Sequence, residues 1–232
     1  ANLPGLRVDT VAGDDVINSI EHGQNLIITG SSDGLAVGTT LTVTINGKTY
    51  AASVLADGTW SAAIPAADVS ALTAGTVTVT VEGQSTAGNP VTISHDVTVD
   101  LATVAISIDA IATDDVINAA EVATGQTLSG KVSGAASGDV VTINIGGNTY
   151  TAKVQDDLSW SVNVPANVLT AIGNGLLTVS ASVTNGHGNS GSGERDITID
   201  ANLPGLRVDT VAGDDVINSI EHAQNLIVTG SS

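Results

Sequence analysis

The sequence contains no cysteine, so disulfides contribute nothing to its stability. Basic groups are scarce. Against 24 Asp and Glu there are 6 Lys and Arg, a formal charge of -18, which makes nucleic acid and anionic membrane surfaces poor partners. Aromatic residues are scarcer still: two Trp, two Tyr and no Phe leave few platforms for stacking a sugar or anchoring a protein ligand. That counts against the main alternative function, a carbohydrate- or protein-binding module. No apolar run approaches the roughly 20 residues of a membrane span, so direct membrane insertion is not expected. The opening residues lack the basic and apolar regions of a signal peptide, and the chain reads as a segment whose targeting signals lie elsewhere. No Ser/His/Asp or paired-carboxylate arrangement stands out, and no enzyme is expected.

What the sequence does contain is an acidic loop in three copies, Asp9 to Glu21, Asp109 to Glu121 and Asp209 to Glu221. Asp9, Asp14, Asp15, Asn18 and Glu21 recur at the same five places, as Asp109, Asp114, Asp115, Asn118 and Glu121 and again as Asp209, Asp214, Asp215, Asn218 and Glu221. The residues between them drift from Thr-Val-Ala-Gly to Ala-Ile-Ala-Thr in the second copy. Short oxygen-bearing side chains bunched in a loop, with no His or Cys among them, suit a hard cation such as Ca2+, which takes about six to eight oxygens.

The landmarks repeat every 100 residues without gaps: Trp60-Ser61 matches Trp160-Ser161, Pro65 matches Pro165, and Asp100 matches Asp200. A second period is nested in the first, since residues 201–232 copy residues 1–32 except that Gly23 becomes Ala223 and Ile28 becomes Val228. Near-identity over that length is the mark of a tandem array. The expected organisation is two whole repeats, 1–100 and 101–200, and the N-terminal part of a third, 201–232.

Within a repeat the apolar signal has period two and turn residues fall about every ten positions, which predicts an all-β, immunoglobulin-like antiparallel sandwich of about seven strands, with repeats set end to end. Strands are expected at Leu6 to Asp9, Asn25 to Thr29, Leu41 to Ile45, Lys48 to Val54, Trp60 to Ile64, around Val77 to Val81, and Val91 to Val99. Asn46-Gly47 is a hairpin signal, and residues 66–73 form a helical turn. Counting strand directions puts the acidic loop and Asp100 at one pole of a repeat, facing the turns at the opposite pole of the next, where Asp157 and Asp139 come within reach. The site then falls at the joint between repeats, and the partners are the neighbouring repeats and calcium ions within a monomeric segment.

Like-charged carboxylates in such a joint repel by roughly 1 kcal/mol per pair in water, so a metal-free joint should be splayed. Calcium at 100 times Kd would stabilise the ordered joint by about 2.7 kcal/mol. The direct link from Asp100 to Leu101, without a Gly/Ser or Pro-rich spacer, also restricts the hinge.

The Val-Asp at the end of the last strand, the Asp-Asp-Val-Ile-Asn-x-x-Glu loop, Asp-Gly-Thr-Trp-Ser at 57–61 and Ala-Gly-Asn at 87–89 resemble the tandem bacterial immunoglobulin-like repeats of giant type I secreted adhesins, the repeats-in-toxin and biofilm-associated class. The resemblance covers the whole chain. It implies extender repeats in an extracellular stalk on a Gram-negative cell, with calcium at the junctions held by Asp14, Asp15, Glu21 and Asp100 and by Asp114, Asp115, Glu121 and Asp200. Two departures, Gly-His-Gly-Asn at 186–189 for Thr-Ala-Gly-Asn and Arg195 for His95, fall outside the acidic loops and put no ligand in doubt.

Each feature also has a plain structural reading. Asp15 and Asn18 can be turn formers that cap a short helix, although recurrence of Asp9 and Glu21 is then unexplained. Asp57 and Asp157 read as turn residues before ligands, Trp60 and Trp160 as core, and Tyr50 and Tyr150 as cross-strand partners of Val43 and Ile143. Exposed Thr-rich edges leave room for contact between stalks.

Overall fold

The computed structural model describes residues 4–232. In the first repeat the chain runs through β1 (Gly5–Val8), β2 (Val16–Asn18), β3 (Leu26–Asp33), β4 (Thr40–Ile45), β5 (Lys48–Ser53), β6 (Thr59–Ile64), a short helix α1 (Ala66–Val69), β7 (Gly75–Gln84) and β8 (Pro90–Asp100). One sheet has the order β1-β3-β6 and the other β2-β8-β7-β4-β5. The alternation that predicted strands also fills the core. Leu41, Val43 and Ile45 of β4 and Trp60, Ala62 and Ile64 of β6 point inward, each nearly inaccessible, while the residues between them face solvent or the sheet margin.

The second repeat retraces this path with β9 (Ala105–Ile106), β10 (Val116–Asn118), α2 (Ala119–Thr124), β11 (Gln126–Ser133), β12 (Val140–Ile145), β13 (Asn148–Lys153), β14 (Ser159–Val164), α3 (Ala166–Ile172), β15 (Gly175–Thr184) and β16 (Ser190–Asp200). Its sheets are β9-β11-β14 and β10-β16-β15-β12-β13. Its core, from Val104 to Ile199, is separate from the first, which runs from Val8 to Val99.

Seven of the strands are those the alternation predicts, and Val43 pairs with Tyr50 and Ile143 with Tyr150 as expected. The eighth, β2, lies inside the acidic loop and pairs parallel with β8, Asn18 opposite Asp100. Three residues between carboxylates carry too short an alternation to announce a strand. The sandwich is therefore not wholly antiparallel.

Both tryptophans are buried, and each is packed over a glycine of the facing strand. A Cβ on Gly30 would collide with the Arg7 carbonyl and the Trp60 ring, and one on Gly130 with the Ser107 carbonyl and Trp160 Nε1. The indoles in turn donate to Ser31 O at 3.3 Å and Ser107 O at 3.2 Å.

Residues 201–232 form two short paired strands, β17 (Arg207–Val208) and β18 (Gly230–Ser231), around a third acidic loop, with most side chains exposed. Two strands have no second sheet to bury a face against. The loop nevertheless keeps the bonds of the earlier copies: Asp215 Oδ1 accepts from Val211 N at 2.9 Å and Glu221 Oε2 from Asn218 N at 3.0 Å. Its conformation is coded by local bonds.

Candidate functional site

The acidic loop is pinned to the core by two apolar residues, Val11 and Ile17, with Ile111 and Ile117 in the second repeat. Between these anchors the backbone turns through the left-handed region at Asp15 (φ 62°), Asp115 (φ 63°) and Asp215 (φ 62°). Asp tolerates that conformation better than most residues, and here its side chain returns to the backbone: Asp15 Oδ1 accepts from Val11 N at 2.8 Å, and Asp115 Oδ1 from Ile111 N at 3.0 Å. Asp14 Oδ1 accepts from Val16 N at 3.0 Å, an Asx turn that launches β2.

Asn18 and Glu21 work together. Asn18 Oδ1 accepts from the N–H groups of Ile20 and Glu21, while Glu21 Oε2 accepts from Asn18 N at 3.1 Å. In the second repeat the same exchange is a complete capping box on α2. Asp9 has a role as well, since its Oδ2 accepts from Thr29 Oγ1 at 3.0 Å, as Asp109 does from Ser129 and Asp209 from Thr229. All five recurring residues thus have a structural reason to recur, and recurrence by itself does not distinguish a cation site from a well-capped loop.

Asp15 and Asp115 also face side chains of the last long strand, His95 and Arg195. His95 Nε2 lies 2.6 Å from Asp15 Oδ1. Burial works to raise the Asp15 pKa, but the bonds from His95 and from Val11 N–H outweigh it, and the carboxyl sits below its ordinary value. At the matching place Arg195 forks onto both oxygens of Asp115, at 2.6 Å each, and donates to Ile108 O at 3.0 Å. That guanidinium, with the Ile111 N–H, draws the Asp115 pKa down to about 2. The His95-to-Arg195 exchange thus does bear on a predicted ligand, because it takes up both carboxylate oxygens of Asp115.

The joint brings Asp100 beside the loop, as the strand count requires. Across it stands the β15–β16 hairpin of the next repeat, Asn185 to Asn189. His187 Nδ1 is 2.5 Å from Asp100 Oδ2, and Asp100 Oδ1 accepts from Ala102 N at 2.9 Å; in that order these bonds lower the Asp100 pKa. Asn189 is the one buried polar residue among those described. Its Oδ1 accepts from Ser19 N at 2.8 Å and Ser19 Oγ at 2.6 Å, and its Nδ2 donates to Asp100 O at 3.1 Å. Strand direction puts this hairpin at the facing pole, but its contacts through Asn189 and His187 went unread because its residues are small turn formers, with the exchange of Thr-Ala-Gly-Asn for Gly-His-Gly-Asn as the signal.

Asp139 lines a cleft of about 400 Å³ together with Asp100 and His187, so it reaches the joint. Asp157 does not line that cleft. Its Oδ1 accepts from Ser159 N and Oγ, and its Oδ2 from Lys131 Nζ at 3.1 Å, as a turn residue should. Asp200 is similarly occupied with Asn202.

By chemistry these donors fit a hard cation, and Asp9 Oδ1, Asp14 Oδ2 and Glu21 Oε1 have no protein donor among the described residues. By placement they are spread out: no three acidic or histidine side chains converge on one point among the described residues.

The architecture defines a class, tandem immunoglobulin-like β-sandwiches joined end to end. The comparisons narrow it. The chain is 33% identical to a solved structure described as a Ca2+-stabilized adhesin that helps an Antarctic bacterium reach out and bind ice, with a TM-score of 0.57 over 100% of this chain and 58% of that one. It is 32% identical to one from a 1.5-MDa bacterial ice-binding adhesin described in terms of host cell surface retention, with a TM-score of 0.53 over 99% of this chain and 76% of that one. A single bacterial immunoglobulin-like domain of the M. primoryensis ice-binding adhesin is 32% identical over 43% of this chain and 100% of its own, with a TM-score of 0.35. No family model and no curated protein sequence matches. The chain belongs to the tandem bacterial immunoglobulin-like repeats of large adhesins.

Proposed function

We propose that the chain is an extender segment in the stalk of a large adhesin on the surface of a Gram-negative bacterium, secreted by a type I route and serving attachment or biofilm formation. Each hundred-residue repeat is a separate module, and calcium at the joints stiffens the rod that carries a distal adhesive domain. The observation that carries this reading is the joint itself: the acidic loop and Asp100 of one repeat are presented to the next across a link with no flexible spacer. The description of a similar adhesin as Ca2+-stabilized supports the choice of ion.

Among the described residues, one carboxylate oxygen without a protein donor remains on each of Asp9, Asp14, Asp15 and Glu21, on Asp109, Asp114 and Glu121, and on Asp209, Asp214, Asp215 and Glu221. These are the groups to hold the ion, whereas Asp100 faces the next repeat with Ala102 N–H and His187 already on its two oxygens. Asn18 Oδ1 already accepts two hydrogen bonds and has no lone pair to offer. Asp115 is taken by Arg195. A bound divalent ion would offset the repulsion among the remaining carboxylates. Isothermal titration of the 232-residue chain with CaCl2 should show saturable binding, and Asp14→Asn with Glu21→Gln should remove one site while circular dichroism stays unchanged. Absence of saturable binding at millimolar calcium would rule the reading out.

A further inference from the structure

The hairpins of the two repeats have the same backbone but different surroundings. Asn89 and Asn189 occupy matching positions in Ser-Thr-Ala-Gly-Asn and Asn-Gly-His-Gly-Asn, yet Asn89 is exposed and Asn189 is 1% accessible. What buries Asn189 is the preceding repeat, through Ser19 and Asp100. Its side chain makes no bond within its own repeat; only its backbone does, to Asn185. Gly188 repeats the contrast. A Cβ on Gly188 would come within 2.7 Å of Asn18 Nδ2 across the joint, whereas one on Gly88 meets nothing within 4 Å among the described residues, although the two backbones are equally left-handed at φ +82° and +83°.

The next joint has different chemistry. Ser19 becomes Ala119, so no hydroxyl is available there, and the repeat that follows copies repeat one over residues 201–232, a type whose hairpin carries Ala87 where repeat two has His187. The linker is held from behind: Ala201 N donates to Asn174 Oδ1 at 3.0 Å and Asn174 Nδ2 to Asn202 Oδ1 at 3.0 Å. In the first joint those positions are Ala74 and Ala102, and neither side chain can make such a bond.

We propose that the Asn185–Asn189 hairpin is a recognition surface for the acidic-loop end of the preceding repeat, closing the first joint without metal through Asn189. We further infer that joints alternate along the array with a period of 200 residues, the second kind lacking the Ser19 and His187 contacts and tethering its linker through Asn174. The inference rests on the extender reading for its setting but not on calcium.

The test is a distance measurement in EDTA, which separates it from any failure of calcium binding. The chain has no cysteine, so Ile27→Cys and Leu176→Cys, both on exposed strand positions, take two spin labels and no others. Double electron–electron resonance should give one dominant distance for the labelled parent, reflecting a preferred angle set by these hydrogen bonds that calcium then narrows. Asn189→Ala and Gly188→Ala should lose that peak, while Asn89→Ala and Gly88→Ala should keep it. Thermal melts establish that each variant folds, and the two glycine variants share the same backbone strain. Ser19→Ala with His187→Ala, which gives the first joint the chemistry of the second, should broaden the peak. The parent peak retained in both Asn189→Ala and Gly188→Ala overturns the latch. A peak left unbroadened in Ser19→Ala with His187→Ala overturns the alternation.

Discussion

Asp115 shows how one residue can satisfy several demands at once. It must turn left-handed, receive the Ile111 N–H and receive a guanidinium, and a carboxylate on a short stem does all three. Its folded pKa of about 2 lies below an unfolded value of about 3.9, so the pair contributes stability above about pH 4 that is lost as pH falls toward 2. Arg195→Ala should therefore lower the melting temperature of the second sandwich by a few degrees at pH 7. The gap from the parent, followed by circular dichroism melts, should stay constant down to about pH 4 and close toward pH 2. A gap that persists unchanged at pH 2 would mean that Arg195 acts by packing and not through Asp115. Sequence reading placed Asp115 in the right loop but could not assign its partner, which lies 80 residues away on another strand.

At the scale of elements, the strands were legible because alternation is a local property, and Asn46-Gly47 and Asp57-Gly58 fall on turns as their chemistry demands. β2 was not legible, because what makes Val16–Asn18 a strand is parallel pairing with β8, a partner 82 residues on. The short helix in the acidic loop was weighed only as a capping alternative. α2 shows how it is made: Asn118 and Glu121 exchange hydrogen bonds at its first turn, and Gly125 ends it at φ 77°. Asn118→Ala should destabilise the second sandwich by about 1 kcal/mol, the usual cost of losing an N-cap. Urea unfolding would check this, and a change under about 0.3 kcal/mol would show that β10 pairing alone holds the loop.

For the whole molecule, the pole at which each loop sits was readable from strand direction alone, which is why Asp100 and the acidic loop were placed together correctly. Which face of the next repeat they meet was not readable, because that depends on the side chains of a turn. Asp157 carries charge but turns to Lys131, whereas uncharged Asn189 makes the contact. The joint that results is small. Hydrogen bonds of this kind contribute about 1 kcal/mol each, enough to set a preferred angle and little enough to leave room for an ion to stiffen it. The central claim is that calcium does so. Small-angle X-ray scattering of the 232-residue chain in EDTA and then in a few millimolar calcium should show the maximum dimension rising toward that of a rod, with a higher melting temperature. An unchanged scattering profile would mean that the acidic loops are capped turns and nothing more.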